Sequence, residues 1–195
     1  MIEDLSKKKH QFLILSTFLA LICAIDEERV ANENYISSAH LICKDICVDI
    51  YIDKNPYIGL NFKAAHNFSL SGKTSLMNSD DGSNYYHHLY GFDLDFFSSN
   101  KYDFGLSFDI NKSIYNSNQK YSWQQFGLSY FKKNKNTSLQ IMIGILYDNA
   151  WQSNYADFIY GIKIKQNIFL NMGLSRISSD LNHEYKGFLG LNFNI

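Results

Sequence analysis

Apolar and polar residues alternate with a period of two over most of the chain after residue 57. The segment 185–195 shows the clearest alternation, with glycine and asparagine placed between apolar residues. Such a period is typical of a β-strand that has one apolar and one polar face. The apolar face of this last strand consists of Leu189, Leu191, Phe193 and Ile195.

Eight segments of this kind follow one another, each long enough to cross a membrane as a tilted strand. Short connections alternate with longer ones, and the longest is the stretch 64–84. Short turns at one end and longer loops at the other are typical of membrane barrels. The pattern therefore predicts an all-β fold, an eight-stranded antiparallel up-and-down transmembrane β-barrel. The eight apolar faces start at Ile58, Tyr90, Phe104, Phe126, Leu139, Phe158, Ile168 and Leu189.

Each of the eight segments carries a glycine on the face opposite its apolar residues. Glycine weakens a strand, so its regular recurrence needs a physical reason. The lumen of an eight-stranded barrel is only just wide enough for its own side chains. We therefore predict that these glycines line the inner wall and make room for longer residues beside them. The predicted lumen glycines are Gly59, Gly91, Gly105, Gly127, Gly144, Gly161, Gly173 and Gly190.

These features resemble the small bacterial outer-membrane β-barrels: the OmpA membrane domain, OmpX and the opacity-type surface proteins. In those barrels the last strand alternates in the same way and ends on Phe or another apolar residue. Here it ends on Ile195, with its aromatic residue at Phe193. The resemblance implies a location in the bacterial outer membrane and contact with its lipids and lipopolysaccharide. It also implies that the last strand is an assembly signal, which docks on the barrel-assembly machinery during insertion.

The N-terminal region has the features of a secretory signal. Three lysines, Lys7–Lys9, precede an apolar run from Phe12 to Ile25 that is too short to span a bilayer as a helix. The short alternating run at 46–52 is assigned outside the barrel, because a ninth strand would make the count odd and put the amino end on the wrong side. We therefore predict a signal peptide at 1–24, a periplasmic N-terminal extension at 25–56 and the barrel at 57–195.

Cys43 and Cys47 would enter an oxidising compartment, where disulfides form. In a strand their Cα atoms would lie about 13 Å apart, too far for a bond, whereas one helical turn would bring them close enough. They are a candidate disulfide if the stretch is helical, and free thiols if it is extended. Two thiolates without a nearby His or Cys pair make half a zinc site, so no metal or other cofactor is predicted.

Composition excludes some classes of function and of membrane protein. The net charge of −1 gives no global field that would favour a nucleic-acid partner. The mean hydropathy of −0.24 excludes a bundle of membrane helices but not a barrel, because half of each barrel strand faces a polar lumen. Aromatic residues, 16% of the chain, gather near the predicted strand ends, where they would anchor the barrel at the headgroup level. They include Tyr85, Tyr86, Trp123, Trp151 and Tyr155.

Charged and imidazole side chains also fall on the predicted inner face. A narrow lumen would satisfy them by internal ion pairs and hydrogen bonds, which we favour over an ion path or a catalytic carboxylate pair. The predicted function is therefore a structural, surface-interaction or adhesive role with a filled lumen, in which the loops, chiefly 64–84, meet an external ligand that the sequence does not identify. The predicted lumen polar cluster is Lys63, His87, Asp93, Asp95, Asp109, Lys163 and Lys186.

Two alternatives belong to other classes. Lipid A palmitoyltransferases are also eight-stranded barrels, and His66 and Ser113 occupy places comparable to their rim His and Ser. The residue before Ser113 is Lys112 where that family has Asp, and no other catalytic motif is present, so the primary prediction is that the protein is not an enzyme. The second alternative is a soluble periplasmic binding protein of lipocalin-like or sandwich type, because any half-buried sheet alternates.

Overall fold

Ten antiparallel strands close into a single up-and-down barrel, with β1 paired to both β2 and β10. The computed structural model describes residues 35, 37, 45–52, 56–78, 84–115, 119–178 and 183–195. The all-β antiparallel barrel is thus confirmed, and the count of eight strands is wrong. The strands are β1 Ile46–Ile52, β2 Tyr57–Ala65, β3 Phe68–Asn78, β4 Asn84–Ser98, β5 Tyr102–Tyr115, β6 Gln119–Lys133, β7 Thr137–Tyr147, β8 Gln152–Lys165, β9 Ile168–Ser178 and β10 His183–Asn194.

Both additional strands come from stretches that the pattern assigns elsewhere. β3 lies inside the predicted loop 64–84, and its outward face is interrupted by Gly72 and Thr74, so it shows no continuous apolar alternation. β1 was assigned to the periplasmic extension by strand parity. Because β3 is also a strand, adding β1 keeps the total even, so the parity argument fails and the barrel begins at Ile46 instead of residue 57.

The connections fall into two sets, at opposite ends of the barrel. We call the end with the turns 66–67, 99–101, 134–136 and 166–167 the turn end; β1 begins and β10 ends there. The other end, with the connections 53–56, 79–83, 116–118, 148–151 and 179–182, is the loop end. No connection between consecutive strands exceeds five residues, so the predicted long loop at 64–84 does not exist.

The two faces of the strands have opposite environments. Inward-facing Leu89, Met142 and Ile159 are fully buried, whereas outward-facing Ile58 and Ile143 are 55% and 54% exposed. The predicted apolar faces, including that of the last strand, point outward. Apolar residues thus face the surroundings and mixed residues face the interior, the reverse of a half-buried soluble sheet. Within the described residues, no helix is long and apolar enough to cross a membrane.

All eight glycines predicted to line the lumen lie on the inward face. Several stand directly opposite a large inward side chain on the neighbouring strand, as Gly190 does with Tyr51 and Gly173 with Phe188. A Cβ at Gly190 would lie 2.4 Å from the Tyr51 ring, and one at Gly173 would lie 2.1 Å from the Phe188 ring. The rings of Tyr51 and Phe188 therefore occupy the space that a side chain at each glycine would need.

Candidate functional site

Two residues from the N-terminal part of the chain lie inside the barrel. Tyr35 and Ser37 are 3% and 4% exposed. The Tyr35 hydroxyl donates a hydrogen bond of 2.7 Å to Asp157 Oδ2, and the Ser37 hydroxyl donates to the same carboxylate oxygen. The Tyr35 ring also packs against Tyr155, with 5.4 Å between centroids. This part of the predicted periplasmic extension is thus inside the lumen instead of outside the barrel.

Ser37 also contacts the opposite wall, because its carbonyl oxygen accepts a hydrogen bond from Lys73 Nζ. Lys73 belongs to β3 and Asp157 to β8, which are five strands apart in the ring of ten and therefore face each other. The aliphatic stem of Lys73 lies over Gly59, where a Cβ would be 3.1 Å from Lys73 Cγ. We call Tyr35, Ser37, Lys73 and Asp157 the cross-lumen clasp.

The chemistry of the clasp keeps the Tyr35 phenol protonated. Burial raises the pKa of Tyr35 well above its ordinary value, and the nearby Asp157 carboxylate raises it further. A protonated phenol can donate to the carboxylate at any physiological pH.

A second polar network lies where β1 joins its two neighbours. Asp49 is fully buried and accepts hydrogen bonds from the side-chain amides of Asn61 on β2 and Asn192 on β10, the latter at 2.6 Å. Asn194 donates in turn to Asn192 Oδ1 at 2.9 Å. One carboxylate thus connects three strands across the position where the barrel closes.

A third network contains one of the residues proposed for acyl transfer. Ser113 Oγ lies 2.8 Å from His87 Nδ1, Asn111 Oδ1 lies 3.2 Å from His87 Nε2, and the His87 ring stacks on Trp123 with 5.1 Å between centroids. His87 and Ser113 are both fully buried, and they are direct cross-strand partners. A buried His–Ser pair of this kind satisfies two polar groups in the interior.

His66 lies far from this pair. It occupies the tight turn between β2 and β3 at the turn end, and it is exposed. Ser113 pairs with His87, His87 pairs with Ser75, and Ser75 pairs with Tyr57, so the residue of β2 at the level of Ser113 is Tyr57. His66 lies nine residues beyond Tyr57. The structure therefore places His66 and Ser113 at opposite ends of the barrel and does not bring them together.

The seven residues of the predicted lumen polar cluster all lie on the inward face. Asp93 on β4 is a diagonal neighbour of Asp109 on β5, whereas Lys163 and Lys186 lie on β8 and β10. Lys163 Nζ lies 6.0 Å from the centre of the Phe169 ring, and Lys186 Nζ lies 4.0 Å from Glu184 Oε2. At the turn end, Asp103 forms an ion pair with Lys133 and accepts a hydrogen bond of 2.7 Å from Ser98. The lumen thus contains several polar networks, and the clasp crosses from one wall to the other. Sequence reasoning missed Asp49, Lys73, Asp103 and Asp157.

The aromatic residues near the strand ends also differ from expectation. Trp123 and Tyr155 are 1% and 3% exposed and point into the lumen, as do the buried Tyr85 and Trp151. Of the residues expected at the headgroup level, Tyr86 faces outward, with 56% of its surface exposed. The sequence pattern could have predicted these inward positions. Trp123 lies on the same strand face as Gly127, and Tyr155 on the same face as Gly161, and both glycines were predicted to line the lumen.

Cys47 is disulfide-bonded and lies in β1, although an extended stretch was predicted to leave it a free thiol. Cys43 lies outside the described residues, so its pairing with Cys47 stays a prediction, as does the signal peptide. In the described part of the chain, no group of three or more His, Cys, Asp or Glu residues is arranged to hold a metal ion.

Comparison with known proteins gives little beyond this geometry. No protein-family model matches the chain, and no curated protein matches it. Among solved structures, it is similar to one described as a KdgM porin in complex with disordered oligogalacturonate. The two chains are 10% identical with a TM-score of 0.45, over 77% of this chain and 98% of the porin chain. The similarity is too distant to transfer a function.

Proposed function

We propose that this protein is an integral β-barrel of the bacterial outer membrane with a structural role and a lumen closed by its own residues. The observation that carries the proposal is the outward face of the strands. Ile164 on β8, Leu189 on β10 and Ile143 on β7 are 60%, 55% and 54% exposed, and similar residues surround the barrel. Monomeric soluble proteins rarely expose contiguous apolar patches larger than a few hundred Å². Lipid is the solvent that suits such a surface, and a closed barrel satisfies its backbone there.

The test is fractionation followed by gel mobility. We expect the full chain in the outer-membrane fraction, extracted only by detergent, with different gel mobility before and after boiling because a folded barrel resists the detergent at room temperature. Recovery as a soluble periplasmic protein would instead favour the lipocalin-like alternative.

The closed lumen is supported by the interior side chains. A cluster of buried aromatic and aliphatic residues, including Leu89, Trp123 and Leu146, occupies the space inside the strands, and the clasp adds Tyr35 and Ser37. The adhesive form of the predicted function has less support, because residues 68–78 are a barrel strand and no connection is longer than five residues. A structural role therefore fits the molecule better than a loop-borne adhesin.

The clasp favours a second candidate function, regulated passage of small solutes. Tyr35 and Ser37 do not belong to the wall, and polar contacts to Asp157 and Lys73 hold them in the lumen. Displacement of these residues would free space between two opposite strands. The closed state would then be a resting state of a porin-type barrel.

Planar-bilayer recordings separate the two candidates. Both candidates predict no steady current through the wild type. Regulated passage predicts channel openings when Asp157→Ala and Lys73→Ala are combined, and the structural role predicts none; Lys163→Ala, an inward lysine outside the clasp, is the matched control. A steady current through the wild type would contradict the closed lumen. Silence of the double variant would favour the purely structural role.

The barrel-assembly machinery is a partner that the family resemblance predicts. We infer that the barrel-assembly machinery binds the apolar face of β10 during insertion; Leu189 on this face and Ile195 just after the strand are both exposed. Replacement of Phe193 and Ile195 by Ser is expected to reduce the amount of heat-modifiable barrel in cells. Refolding from urea into lipid vesicles, where no machinery is present, should change much less.

A further inference from the structure

Charge is divided between the two faces of the barrel. Every carboxylate on a described strand points inward, so within the described strands the outward basic residues have no acidic neighbour on the outer face. The outward basic residues of the loop end are Lys112, Lys120 and Arg176, with His88 nearby. The inward carboxylates are Asp49, Asp93, Asp95, Asp103, Asp109, Asp157 and Glu184.

Three of the outward basic residues are neighbours on β4, β5 and β6. His88 and Lys112 are direct cross-strand partners. Lys120 pairs with Ile114, two residues beyond Lys112, so it is a diagonal neighbour of Lys112 on the same face. The His88 ring is held in place by Thr74, whose Oγ1 lies 3.0 Å from His88 Nδ1. We call His88, Lys112 and Lys120 the outer basic cluster.

A groove lies beside this cluster on the outer wall of β2, β3 and β4. Gly72 forms part of its floor, because this residue is outward-facing and has no side chain between its cross-strand partners Leu60 and Tyr90. The groove has a volume of about 430 Å³ and opens to the surroundings of the barrel. Thr74 and His88 form its polar side on β3 and β4, and Ile58 and Leu60 form its apolar side on β2.

We propose that the groove and the outer basic cluster together bind one membrane lipid whose phosphorylated headgroup is net anionic. The phosphate lies on Lys112, Lys120 and His88, and an acyl chain follows the groove over Gly72. Charge-assisted hydrogen bonds from lysine to phosphate are stronger than neutral ones. His88, Lys112 and Lys120 lie four, three and one residues from the loop ends of their strands, where headgroups meet a membrane barrel.

This inference rests on the proposed membrane location. It adds that one lipid binds at a defined place on the outer wall, the groove on β2, β3 and β4. An acyl chain in the groove covers apolar surface that the glycine leaves open. The bound phosphate meets no described carboxylate on that face to repel it. The two halves of the site thus recognise the two halves of an amphipathic molecule.

Native mass spectrometry of the full chain in neutral detergent tests the headgroup half. The probes are phosphatidylglycerol and phosphatidylcholine with identical acyl chains. We expect phosphatidylglycerol to be retained preferentially, and the Lys112→Ala, Lys120→Ala double variant to lose at least roughly tenfold in affinity for it, since each lysine beside the bound headgroup contributes about 1 kcal/mol. The matched control is Lys132→Ala with Lys165→Ala at the turn end, which should change the affinity less than about twofold.

Gly72→Leu tests the groove half. A Cβ at Gly72 meets nothing closer than Tyr90 Cδ1 at 3.7 Å, so the strand accepts a side chain that fills the groove. We expect lipid retention to fall in this variant. It should stay unchanged in Gly187→Leu, where an added Cβ at another outward glycine meets only a backbone oxygen at 4.0 Å.

The outcomes separate this inference from the proposed function. Heat-modifiable gel mobility of each variant would show that it still folds into a barrel. Equal retention of the two lipids, or equal loss in the paired control variants, would overturn the lipid site while leaving the membrane barrel intact. Competition by inorganic phosphate together with full retention in Gly72→Leu would show a free-anion site and overturn the lipid as its occupant.

Discussion

The inner and outer walls of this barrel are made by the same ten strands, yet they follow different rules. On the inner wall, a large side chain on one strand fits the space above a glycine on the next, as Tyr51 does over Gly190. Polar groups there also meet specific partners, as Asp49 meets Asn192. On the outer wall, apolar residues repeat around the barrel, with fewer specific partners.

The inner wall is constrained by the shape of neighbouring side chains, and the outer wall by its surroundings. The effect of an inward substitution on stability depends on the residue opposite it on the next strand, because the interior is close-packed. If the outer wall faces lipid as proposed, the effect of an outward substitution depends on its depth in the membrane and its polarity, because lipid adapts its shape to the wall. One residue type should therefore have opposite effects on the two walls.

Glycine gives the largest expected contrast. A Cβ at Gly144 would lie 2.1 Å from the backbone oxygen of Phe126, which cannot move away as a side-chain end could. We expect Gly144→Ala to lower the free energy of unfolding by about 4 kcal/mol or to prevent folding, beyond the usual range for overpacking. The measurement is urea unfolding of the barrel in lipid vesicles, followed by heat-modifiable mobility.

The matched change is Gly72→Ala, at an outward glycine whose added Cβ has room. It should be neutral or stabilise the barrel by about 0.5–1 kcal/mol, because it restricts the unfolded chain. Equal losses from the two alanines would remove the distinction between the walls.

A charge on the outer wall gives the next effect. Leu128 is 49% exposed on the outer face of β6 and lies nearer the middle of the strand than Ser122 does. Leu128→Arg should cost about 3 kcal/mol in vesicles, as expected for a cation near the bilayer midplane. Ser122→Arg, outward on the same strand but close to the loop end, should cost less than about 1 kcal/mol. A soluble barrel would tolerate both changes equally.

A buried acceptor on the inner wall gives the smallest of the three effects. Asp49→Ala removes the carboxylate that accepts from Asn61 and Asn192, so their amides lose this partner. We expect a loss of about 2 kcal/mol in the free energy of unfolding. Asp45→Ala, at an exposed bend just before β1, is the control and should change the same quantity by less than about 0.5 kcal/mol.

Periodicity was sufficient to predict the fold class and the faces of eight strands. Alternation reports which residues share a face, so it placed Gly190 inward and Leu189 outward. It failed for β3, where Gly72 and Thr74 interrupt the apolar face. It also detected β1, but counting strands without β3 removed it from the barrel.

The contents of the lumen were harder to predict. Tyr35 and Ser37 belong to no periodic segment, and their positions depend on contacts to Asp157, about 120 residues later in the chain. A local pattern carries no information on such pairs. The acyl-transfer hypothesis failed to place His66 beside Ser113 for the same reason, because an unrecognised strand reversed the end of the barrel at which His66 lies.

The closure of β1 on β10 has a kinetic consequence. Nine pairings join strands that are consecutive in the chain, but the tenth joins the first strand to the last, through contacts such as that of Asp49 with Asn192, 143 positions apart. Non-local contacts slow folding, because the entropy of loop closure precedes their gain. Until β10 arrives, β1 and each newly added strand present unpaired edges that can join another chain. The slow step of folding, and the period of greatest risk of aggregation, should therefore coincide with this single junction.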